Sequence, residues 1–387
     1  MPDGAEYILS VLSTHGYGAY IVGGCVRDAL LSRHANDFDI TTSALPEQIK
    51  SLFDHTVDTG IKHGTVTVIV NGEPYEVTTY RIDGEYSDMR HPVSVSFTDK
   101  LVDDLARRDF TVNAMAYNRT AGVVDAFGGI ADLENKIIRA VRDPYLRFGE
   151  DALRILRGIR FAAVLDFDIE PLTARAIHDT AANLCGVSQE RIYVEWHKLL
   201  GGKRAHSILT EFFDVVRVFL PELDAAMIPP RDAFDKMNAE QRQIALFSSL
   251  GADTFRACMR RLRTDSQTAS FGADVLDSME LFGIPTDTEL KKYLIGRRDN
   301  VALCASYLLE LSGTVAAGTH ERLCALISSD FPRRADMLAL NGNDVMSLGF
   351  SGKRVGEIIS ALLLALAEGR AENTKEGLTA FIKTNFY

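Results

Sequence analysis

Long hydrophobic runs are missing from the sequence. The most apolar stretch, near Ile358–Ala367, is too short to span a bilayer, and Met1 to Tyr7 shows no basic segment leading into an apolar one. Neither export nor membrane insertion is expected. Cysteine is scarce: the five residues Cys25, Cys185, Cys258, Cys304 and Cys324 lie far apart without a C-x-x-C pair. That spacing excludes a zinc ribbon or a disulfide framework and fits a reducing cytoplasm. An excess of positive charge is lacking too. The 42 Lys and Arg against 53 Asp and Glu leave a net charge of -11, which excludes a protein that coats nucleic acid non-specifically. Any RNA contact must use local basic patches. What remains is an ordinary globular composition, 46% apolar and 25% charged over 387 residues, enough for roughly two to four domains.

Two parts read differently along the chain. Up to about residue 140, short runs rich in Val, Ile, Thr and Tyr predict strands at Ala19–Val22, Phe38–Thr41, Thr65–Val70 and Glu73–Tyr80. Asn71-Gly72 between the last two predicts a tight antiparallel hairpin, because both residues tolerate positive φ. Beyond Pro144 the strand signals stop. Apolar residues recur at three- and four-residue intervals over Tyr145–Val164, Leu172–Asn183, Ser188–Leu200, Ala239–Ser249, Leu290–Ile295 and Val355–Ala367, which predicts helices throughout. Gly201-Gly202, Ile228-Pro229-Pro230 and Gly283-Ile284-Pro285 are the expected breaks.

The most informative stretch runs Ile21-Val22-Gly23-Gly24-Cys25-Val26-Arg27-Asp28, followed by Asn36-Asp37-Phe38-Asp39-Ile40. A strand that ends in two glycines and enters a helix lets backbone N–H groups approach a phosphate. Residues two apart in a strand share a face, so Asp37 and Asp39 should converge while Phe38 and Ile40 turn to the core. Two carboxylates so placed repel unless a cation sits between them, and magnesium prefers carboxylate and phosphate oxygens.

These residues, with Ala29-Leu30-Leu31 and Ile40-Thr41 around them, resemble the signature of the polymerase-beta-type nucleotidyltransferases, in the branch that contains bacterial CCA-adding enzymes and poly(A) polymerases. The resemblance implies an α+β catalytic head with a mixed or antiparallel sheet, followed by an all-α neck, body and tail; we expect these at residues 1–142, 143–218, 219–300 and 301–387. It implies two Mg2+ ions on Asp37 and Asp39, a third carboxylate at Glu76, and Gly23, Gly24 and Arg27 beside the nucleotide. The implied reaction is attack of an RNA 3′-hydroxyl on the α-phosphate of the incoming nucleotide, with loss of pyrophosphate.

Two further motifs extend the resemblance. Arg107-Arg108-Asp109-Phe110-Thr111-Val112-Asn113 is similar to the family's ribose-contacting segment, where Arg108 and Asp109 suit a 2′-hydroxyl that both donates and accepts. Glu150-Asp151-Ala152-Leu153-Arg154 is similar to its base-reading motif, with Arg157 and Arg160 continuing the three-residue interval along one expected helix face. C and A both show an amino donor next to a ring-nitrogen acceptor, whereas G and U show a carbonyl next to an N–H. A carboxylate that accepts beside a guanidinium that donates therefore takes C and A and refuses G and U, so that the protein itself is the template.

The polar segment Asp83–Pro92 reads as a loop, and a similar loop in CCA-adding relatives serves the switch from C to A. Local cations in the helical part (Arg256, Arg260, Arg261, Arg263, Lys291, Lys292, Arg297 and Arg298) could follow phosphates. Leu340-Asn341-Gly342-Asn343-Asp344 onward is similar to the tail of bacterial CCA-adding enzymes. His178-Asp179 lacks the companion ligands of a metal phosphohydrolase site. The expected activity is addition of CMP, CMP and AMP to tRNA from CTP and ATP. The alternatives are A-only addition, poly(A) synthesis, or RNA binding without catalysis. The sequence leaves the oligomeric state open.

Overall fold

The computed structural model describes residues 1–35, 37–84 and 94–387, so the polar loop expected over Asp83–Pro92 lies, from residue 85 onward, outside the described residues. Two compact units divide the chain, Met1–Ala225 and Ala226–Tyr387.

The first unit begins with α1 (Asp3–Thr14), β1 (Ala19–Val22), α2 (Gly24–Leu30), β2 (Asp39–Thr42), α3 (Pro46–Leu52), β3 (Thr56–Gly60), β4 (Thr65–Val70) and β5 (Glu73–Thr79). It continues through β6 (Arg81–Asp83), β7 (Val95–Phe97), α4 (Leu101–Ala106), β8 (Met115–Asn118) and β9 (Gly122–Asp125). Seven strands form one sheet in the order β3-β4-β5-β2-β1-β8-β9. Its pairs are antiparallel except β2 with β5. The β4–β5 hairpin turns at Asn71 and Gly72 with φ of 53° and 84°, the double positive φ that matches strand twist.

Two features of the register build the site. Val22 pairs with Asp39, and Ile40 pairs with Val77 in parallel, which sets Asp39 beside Glu76 on β5. Ile21, Ile40 and Val77 are buried on the sheet face that carries α1. On the other face Val22 and Ala116 pack with Leu105 of α4. The acidic end of β2 is therefore fixed by apolar contacts on either side of the sheet.

The chain then runs through α5 (Gly129–Glu134), β10 (Ile137–Ile138), α6 (Pro144–Glu150), α7 (Leu153–Leu165), β11 (Asp168–Ile169), α8 (Pro171–Thr180), α9 (Gln189–Leu200), α10 (Ala205–Glu211) and α11 (Phe213–Phe219). Two expectations need correction here. Strands do not stop at Pro144, because β11 pairs in parallel with β10. The helix expected over Tyr145–Val164 is broken at Asp151, whose backbone is extended with φ -137° and ψ 104°. Periodicity could not show that break, because the apolar interval continues across it. The helical layer has its own core: Trp196 is fully buried and meets Phe219 edge-on at 5.7 Å.

The second unit is helical: α12 (Arg231–Phe234), α13 (Ala239–Leu246), α14 (Gly251–Arg261), α15 (Ser266–Asp277), α16 (Asp287–Leu294), α17 (Asp299–Leu311), α18 (Thr319–Ile327), α19 (Gly342–Ser347), α20 (Lys353–Ala367) and α21 (Lys375–Phe386). Capping boxes start three of them, Asn238 with Gln241, Thr286 with Glu289, and Asn341 with Asp344; each satisfies backbone donors that a helix start leaves open. One cluster gathers Leu290, Leu294, Ala302 and Leu323, and another Leu340, Val345, Ile358, Leu362, Leu378 and Ile382. Among the described residues no helix is long and apolar enough to cross a membrane.

Candidate active site

The two-glycine turn stands where β1 hands over to α2. Gly23 has φ 81°, a conformation that side chains disfavour, and its N–H donates to the Met115 carbonyl at 3.2 Å. A Cβ there would come within 3.0 Å of Arg108 Nη1, so the missing side chain lets the guanidinium lie against the turn. Burial lowers the pKa of Arg108, while Asp104 and Asp39 pull it back up. Asp104, fully buried, accepts from Arg107 Nε at 2.9 Å, from Arg108 Nη2 at 3.5 Å and from the Thr41 hydroxyl at 3.2 Å.

Asp37, Asp39 and Glu76 come together around one cavity of about 670 Å³, with Thr67 and Tyr75 also in its wall. Asp37 lies just before β2 rather than in it, yet the expected alternation holds: Asp37 and Asp39 are exposed, Phe38 is half-buried and Ile40 is buried. Crowding by protein raises the pKa of Asp39; Arg108 opposes the shift and the like charge of Asp37 adds to it. A cation would relieve that repulsion. Among the described residues no three His, Cys, Asp or Glu side chains form a ready-made cation cage. An open pair of carboxylates suits magnesium, which keeps several ligands from substrate phosphate and water.

Asp39 also lines a second cavity of about 410 Å³, where the remaining candidates meet: Gly23, Gly24, Arg27, Arg108, Asp109, Asp151, Arg154, Arg157 and Arg160. Asp109 is almost fully buried and its oxygens are occupied. Oδ2 accepts from Arg157 Nε and Nη2 at 2.8 and 2.6 Å, and Oδ1 accepts from the Phe110 N–H and Asn113 Nδ2 at 2.8 and 3.1 Å. Burial would raise its pKa, but the Arg157 charge and these hydrogen bonds hold it far below the usual carboxylate range. Asn113 also accepts from Arg27 Nη1 at 2.6 Å, which ties the glycine helix to the ribose motif.

The base-reading residues depart from a shared helix face. Asp151 precedes α7; its Oδ1 accepts from the Leu153 N–H at 3.1 Å and its Oδ2 from Arg191 Nη2 at 2.9 Å. Arg154 turns to Glu150 at 2.6 Å and to the carbonyls of Arg147 and Arg107 at 3.1 and 2.9 Å. The two still line one cavity.

Sequence reasoning missed five participants. Arg107 and Asn113 were inside a recognised motif without a role. Phe161 was hidden as a core aromatic, yet Arg27, Arg157 and Arg160 approach its ring at 5.2, 5.2 and 3.5 Å to the centroid. Glu195 accepts from Arg160 Nε at 2.7 Å and, with Arg191 one turn earlier on α9, backs the arginines. Oppositely charged residues four apart on a helix occur widely, so spacing gave no signal for either. His178 and Asp179 bond separately, to Asp214 and to the Tyr145 hydroxyl.

A glycine turn under a half-buried arginine, acidic residues at the end of a central strand and an arginine-walled cavity define a nucleotidyltransferase head. Residues 19–139 match the family model described as the poly A polymerase head domain, and residues 166–227 match that described as a probable RNA and SrmB-binding site of polymerase A. The chain is 37% identical to the CCA-adding enzyme of Streptococcus thermophilus over 390 residues, covering 97% of this chain and 95% of that one. It is 35% identical to the CCA-adding enzyme of Geobacillus stearothermophilus over 385 residues, with 97% and 95% covered. The structure of Bacillus stearothermophilus CCA-adding enzyme in complex with CTP superposes with a TM-score of 0.78 at 33% identity, covering 99% of this chain and 98% of that chain. This chain belongs to the family of CCA-adding enzymes. Nucleotidyltransferases of this kind work with a divalent metal.

Proposed function

We propose that this chain adds CMP, CMP and AMP in turn to the 3′ end of tRNA, from CTP and ATP, in the cytoplasm. In this reading residues 1–142 are the catalytic head and 143–218 the neck that reads the base. Residues 219–300 and 301–387 are the body and tail that hold the RNA. The observation that carries the reading is the meeting, in one cavity, of Gly23 and Gly24, of Arg108 and Asp109, and of Asp151 and Arg154.

Each group has work that its chemistry suits. Gly23 and Gly24 let the guanidiniums of Arg108 and Arg27 lie against the turn, where they supply charge against a triphosphate. Asp109 and Arg108 offer acceptor and donors to a ribose 2′-hydroxyl, Asp109 by sharing the oxygens that Arg157 and Asn113 already engage. Asp151 accepts from the amino group of C or A and Arg154 donates to the adjacent ring nitrogen. Arg27, Arg157 and Arg160 complete the positive wall. Asp37 and Asp39, with Glu76 next to them, are the residues that would hold two Mg2+; such ions would lower the pKa of the attacking 3′-hydroxyl and stabilise the charge of the departing pyrophosphate. Rate then comes from positioning and electrostatics.

The test supplies tRNA lacking its last three nucleotides with magnesium and labelled CTP and ATP, singly and together. C is expected to enter alone and A only after C. A entering RNA that ends in CC, with no C added at any stage, would select the A-adding reading. Asp39→Ala is expected to abolish transfer and leave tRNA binding intact; substantial residual turnover would remove the metal assignment.

A further inference from the structure

Asp151 can select a base only if its oxygens keep one orientation, and the structure shows what keeps them. One oxygen is held by the Leu153 N–H at the start of α7, the other by Arg191 Nη2 from α9, forty residues away in sequence. Arg191 is itself half-buried, and its other terminal nitrogen, Nη1, is buried without a hydrogen-bond partner among the described residues. Arg154 is clamped separately, by Glu150 and two carbonyls. Among the described residues, Arg191 is thus the side chain that anchors the acceptor half of the reader.

We infer that Arg191 is a specificity-determining positioning residue: it fixes the Asp151 carboxylate so that only acceptor lone pairs face the incoming base, and thereby enforces refusal of U and G. The inference rests on the CCA-adding reading above. A carboxylate is acceptor-only, so a fixed one placed opposite the carbonyl of U or G gives repulsion and an unpaired acceptor. Sites built on such hydrogen-bond complementarity discriminate strongly, because the wrong partner leaves polar groups unsatisfied. Freed of Arg191, the carboxylate keeps one backbone donor and can rotate about its side-chain bonds. The wrong base then no longer meets an opposing acceptor, and the right base loses a prepaid one.

Arg191 acts through Asp151 rather than on the nucleotide, so the variant should change the ratio of bases more than the chemistry. The experiment measures kcat/KM for CTP and for UTP on tRNA lacking CCA, with the whole protein, for wild type, Arg191→Ala and Arg191→Lys, alongside thermal unfolding of each. Arg191→Ala is expected to lower the CTP-to-UTP preference at least tenfold, mainly through a higher KM for CTP. Arg191→Lys, which keeps a cation but loses the planar fork, should recover part of that preference. Equal losses with both nucleotides, or an unchanged preference in a folded variant, would overturn the inference. Should Arg191→Ala fail to fold, the preference of Arg191→Lys decides alone, and a wild-type preference there overturns it. Failure of wild type to add C at all would instead strike the function proposed above.

Discussion

Asp109 shows how a single side chain can be committed in four directions. Two donors from Arg157, one from Asn113 and one from the Phe110 backbone meet its two oxygens in a nearly dry setting. Breaking a buried, hydrogen-bonded ion pair from one side costs roughly 3 kcal/mol or more, so Asp109→Ala should lower stability by about that amount at pH 7. The sign of the pH dependence follows from the depressed carboxyl pKa. Stability from such a group is present above the unfolded value of about 4 and lost as pH falls toward the folded one. Denaturant unfolding should show the gap between wild type and Asp109→Asn narrowing steadily below pH 4. A gap that is constant from pH 7 to pH 3 would mean that packing, not charge, is what Asp109 contributes.

Helix α7 carries the arginine row, and its seating depends on one residue without a side chain. A Cβ on Gly158 would stand 3.1 Å from Phe110 Cζ and 3.2 Å from Ile177 Cδ1, so the helix lies close against the ribose-motif loop and α8. Glycine inside a helix costs up to about 1 kcal/mol relative to alanine, and close approach is what that cost secures. Gly158→Val should push α7 outward and destabilise by about 1–3 kcal/mol, the usual range for overpacking. Because Arg154, Arg157 and Arg160 ride on that helix, the KM values for CTP and ATP should rise together. A variant with normal KM for both would show that the helix seat does not set the site.

At the scale of the whole molecule, the net charge of -11 leaves RNA binding to local cations, and several of those are already paired. Of the eight cations singled out in the helical part, Arg256 pairs with Asp253 and Asp277, Arg297 with Glu280, Arg298 with Asp274 and Lys292 with Glu368. Arg260 and Lys291 stay the better candidates for phosphate. With each neutralised phosphate contributing about 0.7–0.9 to the salt slope, tRNA affinity should fall with log salt at a slope of about -1.5 for these two cations. A slope near -7 would mean that all eight cations engage RNA. The sequence by itself determined whatever is decided within a turn or two of chain. The hairpin at Asn71-Gly72, the glycine turn at Gly23, the alternation around Asp39 and the residue types of the three motifs all belong there. Tertiary structure decided the partners: the parallel register that sets Glu76 beside Asp39, the Arg157 clamp on Asp109 from 48 residues away, and the Arg191 anchor on Asp151. Backbone preference and apolar period act locally. Which guanidinium reaches which carboxylate depends on how distant elements pack, and many sequences with the same local signals would pair them otherwise.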